Sequence, residues 1–191
     1  MKCKNCGNKR FYLLKDDYLK CKDCNKKYSK RKLELNLKII DCFCENLSAL
    51  DASKKLQLNY RTVKDRYDFY RINITKYLED KYNSSYSAFK EYEEYRYSYN
   101  NKDFINIMGF VNNDIIYTIL LPDYVSFSNK ENKIYSEKFY QTKLYDFWKY
   151  LDDKLKIYKG ISKDRFILYV KEFEFKFNYD KFTQKEILLE F

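Results

Sequence analysis

Four cysteines near the start of this 191-residue chain carry its most legible chemistry. Cys3 and Cys6, then Cys21 and Cys24, form two Cys-x-x-Cys units separated by fourteen residues. Each unit makes a tight turn that points two thiolates at one centre. The segment between them is long enough for a short hairpin that brings the second turn beside the first. Four thiolates at ~2.3 Å complete the closed tetrahedron of a structural zinc site. The chain has no histidine, so the ligands must all be cysteine. Gly7 follows the first turn; Phe11, Tyr12, Leu13 and Leu14 are strand formers; Tyr18 and Leu19 precede the second turn and Tyr28 follows it. A redox pair or a pair of disulfides would use the same residues, but two matched units in a chain read as cytoplasmic favour zinc. A ribbon of about thirty residues buries too little apolar surface to fold unaided, so its folding should require the metal. Cys42 and Cys44 lie two apart in an expected helix, face different sides, and read as small buried hydrophobes.

The elements after the cysteines read as helices. From Lys32, the residues Leu33, Leu37, Ile40, Cys44 and Leu47 recur at three- and four-residue steps. A second unit, Leu47–Leu56, is followed by Gln57-Leu58-Asn59 and then by Tyr60–Tyr67, the shape of a helix-turn-helix. Ala52, Ser53 and Leu56 would pack the first helix, Leu58 the turn and Val63 the second helix, with Ser48 and Asn59 as N-caps. Asn59, Tyr60, Arg61, Thr62 and Lys64 then stand near the start of the second helix, with Arg66 a little further on. In a helix-turn-helix those side chains reach double-stranded DNA. Arg61 suits bidentate reading of guanine, whereas Lys64 and Arg66 suit phosphates. The turn usually carries glycine where this chain has Gln57. An ordinary helical hairpin with a solvated basic face is the competing reading.

Charge supports nucleic acid as the partner. Residues 1–82 hold 21 Lys and Arg against 11 Asp and Glu, while residues 83–191 hold 17 of each. The wealth of Tyr, Phe, Lys, Asn and Ile fits an AT-rich genome, but codon bias acts along the whole chain and does not explain a basic head on a neutral body. No apolar run approaches the ~20 residues of a membrane span. The N-terminal Met1-Lys2-Cys3-Lys4 lacks the apolar stretch of a signal peptide. Both observations place the protein in the cytoplasm, away from membranes.

The body reads as strands and then helices. Phe89–Tyr99 alternates aromatic with polar residues, and Phe104–Val111 and Ile115–Leu121 flank Asn112-Asn113-Asp114, a hairpin signature. A short strand is expected at Lys133–Ser136. Helices are expected around Tyr140–Tyr158 and Ser162–Asn178, divided by Lys159-Gly160. Within the last, the alternation of charge and Phe over Glu172–Phe177 also fits a strand, but Phe166, Val170, Phe173 and Phe177 favour a helix. The order implies an α+β or α/β layer fold. Three regions result: a zinc ribbon at 1–30, a helix-turn-helix region at 31–82 and a layered domain at 83–191.

Phe147-Trp148-Lys149, Lys154-Leu155, Tyr158-Lys159-Gly160-Ile161, Lys163, Phe166, Leu168 and Val170-Lys171-Glu172-Phe173-Glu174-Phe175-Lys176-Phe177-Asn178 together resemble the closing segment of a known family. With the ribbon and the helix-turn-helix, the chain looks like a shortened member of the bacterial insertion-sequence transposases that end in an RNase H-like DDE domain. The resemblance implies such a domain at 83–191, and three carboxylates around two Mg²⁺ ions for strand transfer. It puts Glu93 at the first acidic position, Glu137 at the second and Tyr145 at the third, with Asp146 adjacent. None of the three is the family's usual residue. Magnesium demands near-octahedral geometry, so a longer carboxylate displaces the ion, and a tyrosine is neutral at pH 7. Seven residues separate Glu137 from Tyr145, and eleven separate Pro122 from Ile134, about the minimum for a crossover including its helix. The reading is therefore a transposase-derived DNA-binding protein without strand-transfer activity. Its alternatives are an active transposase with a site rebuilt from Glu93, Glu137 and Asp146, with Mg²⁺ as cofactor, and a zinc-ribbon module that binds protein. Homo-oligomers are compatible with any of these.

Overall fold

A computed structural model describes residues 2–84, 91–98, 104–122, 142–158 and 160–191. The architecture is mixed α+β. Among the described residues there are two antiparallel three-stranded sheets and six helices. The chain divides into two units, one of residues 1–70 with 180–191 and the other of residues 71–179. The C-terminal segment 180–191 thus groups with the first unit.

The first unit opens with strands β1 (Phe11–Leu13), β2 (Tyr18–Cys21) and β3 (Lys27–Ser29), paired in that order. The third strand extends the expected hairpin and leads straight into helix α1 (Lys30–Cys44), whose N-cap is Ser29. Helix α2 (Ala49–Leu56) is capped by Ser48, which accepts from the Asp51 amide. Helix α3 (Tyr60–Ser84) begins after Asn59, whose Oδ1 accepts from the Arg61 amide at 2.8 Å. Its first part, with Val63, Tyr67 and Tyr70 fully or almost fully buried, belongs to this unit. Phe43 of α1 meets the edges of the Tyr67 and Tyr70 rings at 4.9 and 5.5 Å between centroids.

Helix α1 and the C-terminus depart from the sequence pattern. Leu37 lies outside the buried stripe of α1, which comprises Ile39, Ile40, Cys42, Phe43 and Cys44. The helix buries its C-terminal half broadly because α2 and a further helix both pack on it. That further helix, α6 (Lys181–Glu190), has no counterpart in the sequence pattern. It starts at Asp180, whose carboxylate accepts from the Phe182 and Thr183 amides, and it buries Gln184 and Leu188. Lys185 pairs with Asp41 at 2.6 Å and Lys2 with Glu190 at 2.6 Å, so the chain's last helix helps to close the unit that holds its first strands. Cys42 and Cys44 are buried as expected.

The second unit contains a meander, β4 (Glu91–Ser98), β5 (Phe104–Asn112) and β6 (Ile115–Leu120), covered by helices α4 (Lys143–Leu155) and α5 (Lys163–Asn178). Asn113 and Asp114 take φ of 46° and 63° in the two-residue turn between β5 and β6, the left-handed pair that such a hairpin requires. Ile105, Ile107, Val111 and Ile116 of the sheet pack with Leu144, Phe147, Trp148, Leu151, Phe166, Val170 and Phe173 of the helices. The Glu172–Phe177 segment is helical, as its apolar spacing predicts.

That segment also explains its own charges. Glu174 Oε2 accepts from the Thr118 amide at 2.9 Å and from its hydroxyl, while the Asn178 amide group exchanges two hydrogen bonds with the Ile116 backbone at 2.6 and 2.9 Å. Residues four apart on a helix and two apart on a strand are each ~6–7 Å apart. The side chains of α5 thus satisfy the Ile116 N–H and C=O and the Thr118 N–H on the outer side of β6, which otherwise belong to an open sheet edge. The strand expected at Lys133–Ser136 lies outside the described residues.

Candidate metal centre and helix-turn face

The two Cys-x-x-Cys turns are built alike. The Gly7 amide donates to the Cys3 carbonyl at 2.8 Å, and the Asn25 amide donates to the Cys21 carbonyl at 3.2 Å. The Cys3 amide donates to Asn8 and the Cys21 amide to Lys26, at 2.8 and 2.9 Å. Gly7 and Asn25 both take positive φ, 74° and 59°, which is where glycine and asparagine cost least. Each turn therefore curls around its own pair of sulfurs, and the β1–β2 pairing sets Phe11 opposite Cys21, joining the two turns.

The four sulfurs lie within 4.8 Å of one another, with Cys3 Sγ 3.4 Å from Cys24 Sγ and Cys6 Sγ 3.5 Å from Cys21 Sγ. A tetrahedron with ~2.3 Å metal–sulfur bonds has edges of about 3.8 Å. The cluster fits a divalent metal such as zinc, and the separations are far from the ~2.05 Å of a disulfide. The Tyr28 hydroxyl, 3.2 Å from Cys3 Sγ, draws that thiol down to about 6. At Cys6 the backbone at Asn8 favours the thiolate, but desolvation and the sulfurs of Cys24, Cys21 and Cys3 prevail and push it up to about 12. Adjacent thiolates repel one another, and a cation at their centre removes that conflict. Among the described residues this is the group of three or more potential ligands close enough to share an ion.

The second feature is the turn between α2 and α3. Gln57 sits in the left-handed region (φ 54°, ψ 43°), its amide donating to the Lys54 carbonyl at 3.2 Å, and the Leu58 amide donates to the Ser53 carbonyl at 2.9 Å. This is the position where a glycine is usual, and the backbone geometry gives the reason. Tyr60, Arg61, Thr62 and Arg66 are exposed on α3, Tyr60 by 48%, while Val63 and Tyr67 point inward. Lys64 is half-buried and pairs with Asp68 at 2.8 Å. Asn59 is engaged as the cap.

The acidic positions in the second unit are placed differently. Glu93 lies on β4 opposite Gly109, where a Cβ would stand 2.5 Å from the Trp148 ring. The indole occupies the space that Gly109 leaves, stacks on Tyr95 at 4.7 Å and donates from Nε1 to Glu93 Oε2 at 3.2 Å. Burial raises the pKa of Glu93, against the effect of that hydrogen bond. Tyr145 and Asp146 are exposed in the first turn of α4, and Glu137 lies outside the described residues. Among the described residues, the group that faces Glu93 at hydrogen-bond distance is the Trp148 indole.

No helix among the described residues is long and apolar enough to cross a membrane. Sequence reasoning missed the Trp148–Gly109 slot and the role of α6; the lone glycine amid β5 was the available signal for the first. No protein-family model, curated protein or solved structure matches the chain.

Proposed function

We propose that this chain is a DNA-binding protein derived from an insertion-sequence transposase, with a zinc-stabilised head that reads duplex DNA and a body without strand-transfer activity. The observation that carries the reading is the exposed start of α3. A capped helix presents Tyr60, Arg61, Thr62 and Arg66 to solvent after a three-residue turn, the arrangement by which such helices enter a major groove. Arg61 has the reach and fork geometry for guanine, and Arg66 suits a phosphate. Lys64, held by Asp68, contributes less than its position alone suggests.

Zinc fits the four sulfurs and would fix the two turns of the small sheet. The ancestry rests on the closing segment, on the meander followed by covering helices, and on the place of Glu93 on the first strand of that meander. An RNase H-like body remains part of this proposal. Its inactivity follows from Tyr145 in an acid's place and from Glu93 being taken up by Trp148. A random-duplex selection with zinc-loaded protein tests the reading. Enrichment of one short motif is expected; recovery of duplexes without preference would overturn it.

A further inference from the structure

The sheet that holds the cysteines has two faces of opposite chemistry. Its register places Phe11 beside Cys21, and Leu13, Leu19 and Tyr28 in one row across three strands. The Phe11 and Tyr28 rings meet edge to face at 6.0 Å on this side. Because side chains alternate along a strand, the other face carries the row Tyr12, Lys20 and Lys27, with Tyr18 beside it. Lys22 continues the alternation past the end of β2, and its ammonium lies 4.6 Å from the centre of the Tyr12 ring.

Lys20 and Lys27 face each other directly across the β2–β3 pairing. Like charges in that relation destabilise a sheet. Among the described residues no carboxylate lies within ion-pairing distance of Lys20, Lys22 or Lys27, although nearby Arg10 is paired with Asp23 at 3.6 Å. A small sheet that depends on metal to fold thus also holds opposed cations and an aromatic ring, 54% exposed, on its solvent face. A polyanion relieves the repulsion, and the tyrosines add polar and flat contact surface to a backbone-tracking site.

We propose that the Tyr12–Lys20–Lys22–Lys27 face of the cysteine-bearing sheet binds the phosphate backbone of duplex DNA without reading its sequence. The proposal rests on the DNA-binding reading above and adds a second binding surface to it, separate from the α3 residues. It makes the cysteine cluster more than a structural support, since the metal holds in place the strands that carry these lysines.

The test is a titration of full-length, zinc-loaded protein against its selected duplex and a scrambled duplex over a range of salt. Replacing all three lysines (Lys20→Gln, Lys22→Gln, Lys27→Gln) should lower the slope of log K against log salt by about 0.9 for each phosphate no longer neutralised, equally on both duplexes. Replacing the same three by arginine should keep the slope. If the triple glutamine variant binds less zinc per chain, the single Lys22→Gln and Lys27→Gln variants provide the reading, at about 0.9 each. An unchanged slope in variants with full zinc overturns the proposal, while motif preference that depends on Arg61 leaves the α3 reading standing. Failure of the wild-type protein to bind either duplex overturns both.

Discussion

The two units of this chain differ in where they place part of their charge. The first leaves cations at its surface: Lys20, Lys22, Lys27, Arg61 and Arg66 all lie without a carboxylate partner among the described residues. The second also places three of them inside. Arg71, Lys171 and Lys176 are nearly inaccessible, and so are Glu172 and Glu174. Glu172 accepts from Arg71 at 2.6 Å and from Lys176 at 2.5 Å, while Lys171 donates to Glu174 at 2.9 Å and stands 3.5 Å over the Tyr117 ring. Surface cations gain energy when a polyanion arrives. Buried pairs are committed to the fold, where they set which helix face meets which strand. The difference is what the proposed division of labour, binding in the first unit and internal architecture in the second, would use.

The largest effect should come from the metal. Replacing Cys21 by serine removes one of four thiolates, and structural zinc in small domains contributes on the order of 10 kcal/mol to folding. Loss of bound zinc and of the β1–β3 sheet is expected, with the second unit's unfolding unchanged; a chelator titration followed by amide NMR checks both. If the small sheet persists without metal, the first unit is held by packing alone.

Next is the buried triad of the second unit. Glu172→Gln removes the buried carboxylate that Arg71 and Lys176 share, at a cost of about 3–5 kcal/mol by denaturant unfolding. Burial opposes ionisation of Glu172, but Arg71 and Lys176 hold its carboxyl below the usual range. A depressed carboxyl stabilises the fold at neutral pH and loses that contribution as pH falls through its folded-state value. The gap between wild type and variant should therefore close in acid, and a gap constant with pH would contradict the assignment.

Smaller is the packing of the indole. Gly109→Ala drives a methyl group against Trp148 and Leu144, at 2.5 and 2.7 Å before relaxation. A loss of about 1–3 kcal/mol is expected in the second unit, with quenching of the Trp148 emission altered and zinc content unchanged. The smallest effect has the opposite sign. Gln57→Gly removes left-handed strain in the turn before α3 and should stabilise the first unit by up to about 1 kcal/mol, visible as a raised midpoint of its thermal transition.

What could be read in advance follows a physical pattern. The cysteine cluster, the caps at Ser48 and Asn59, and the Asn113-Asp114 turn depend on neighbours within a few residues, so spacing and residue type were enough. The exposure of Leu37 depends on what packs against α1, and periodicity alone misplaces it. Helix α6 has an N-cap at Asp180 that is visible in sequence, but its place in the first unit depends on Leu188 and on pairings such as Lys185 with Asp41, more than a hundred residues apart. The acidic positions were the least legible. A carboxylate's role is set by what faces it, and only the fold reveals that Glu93 faces Trp148. The charges of α5 were visible as a pattern; that Glu174 and Asn178 close the edge of β6 was not.

The proposed reading of DNA by the exposed start of α3 can be tested at a single residue. Its most direct test is Arg61→Ala in zinc-loaded protein, titrated against the selected duplex and against single-base variants of it. A loss of about 1–3 kcal/mol on the selected duplex is expected, with preference relaxed at one base pair and unchanged at the others. Equal affinity for every duplex before and after the substitution would contradict it.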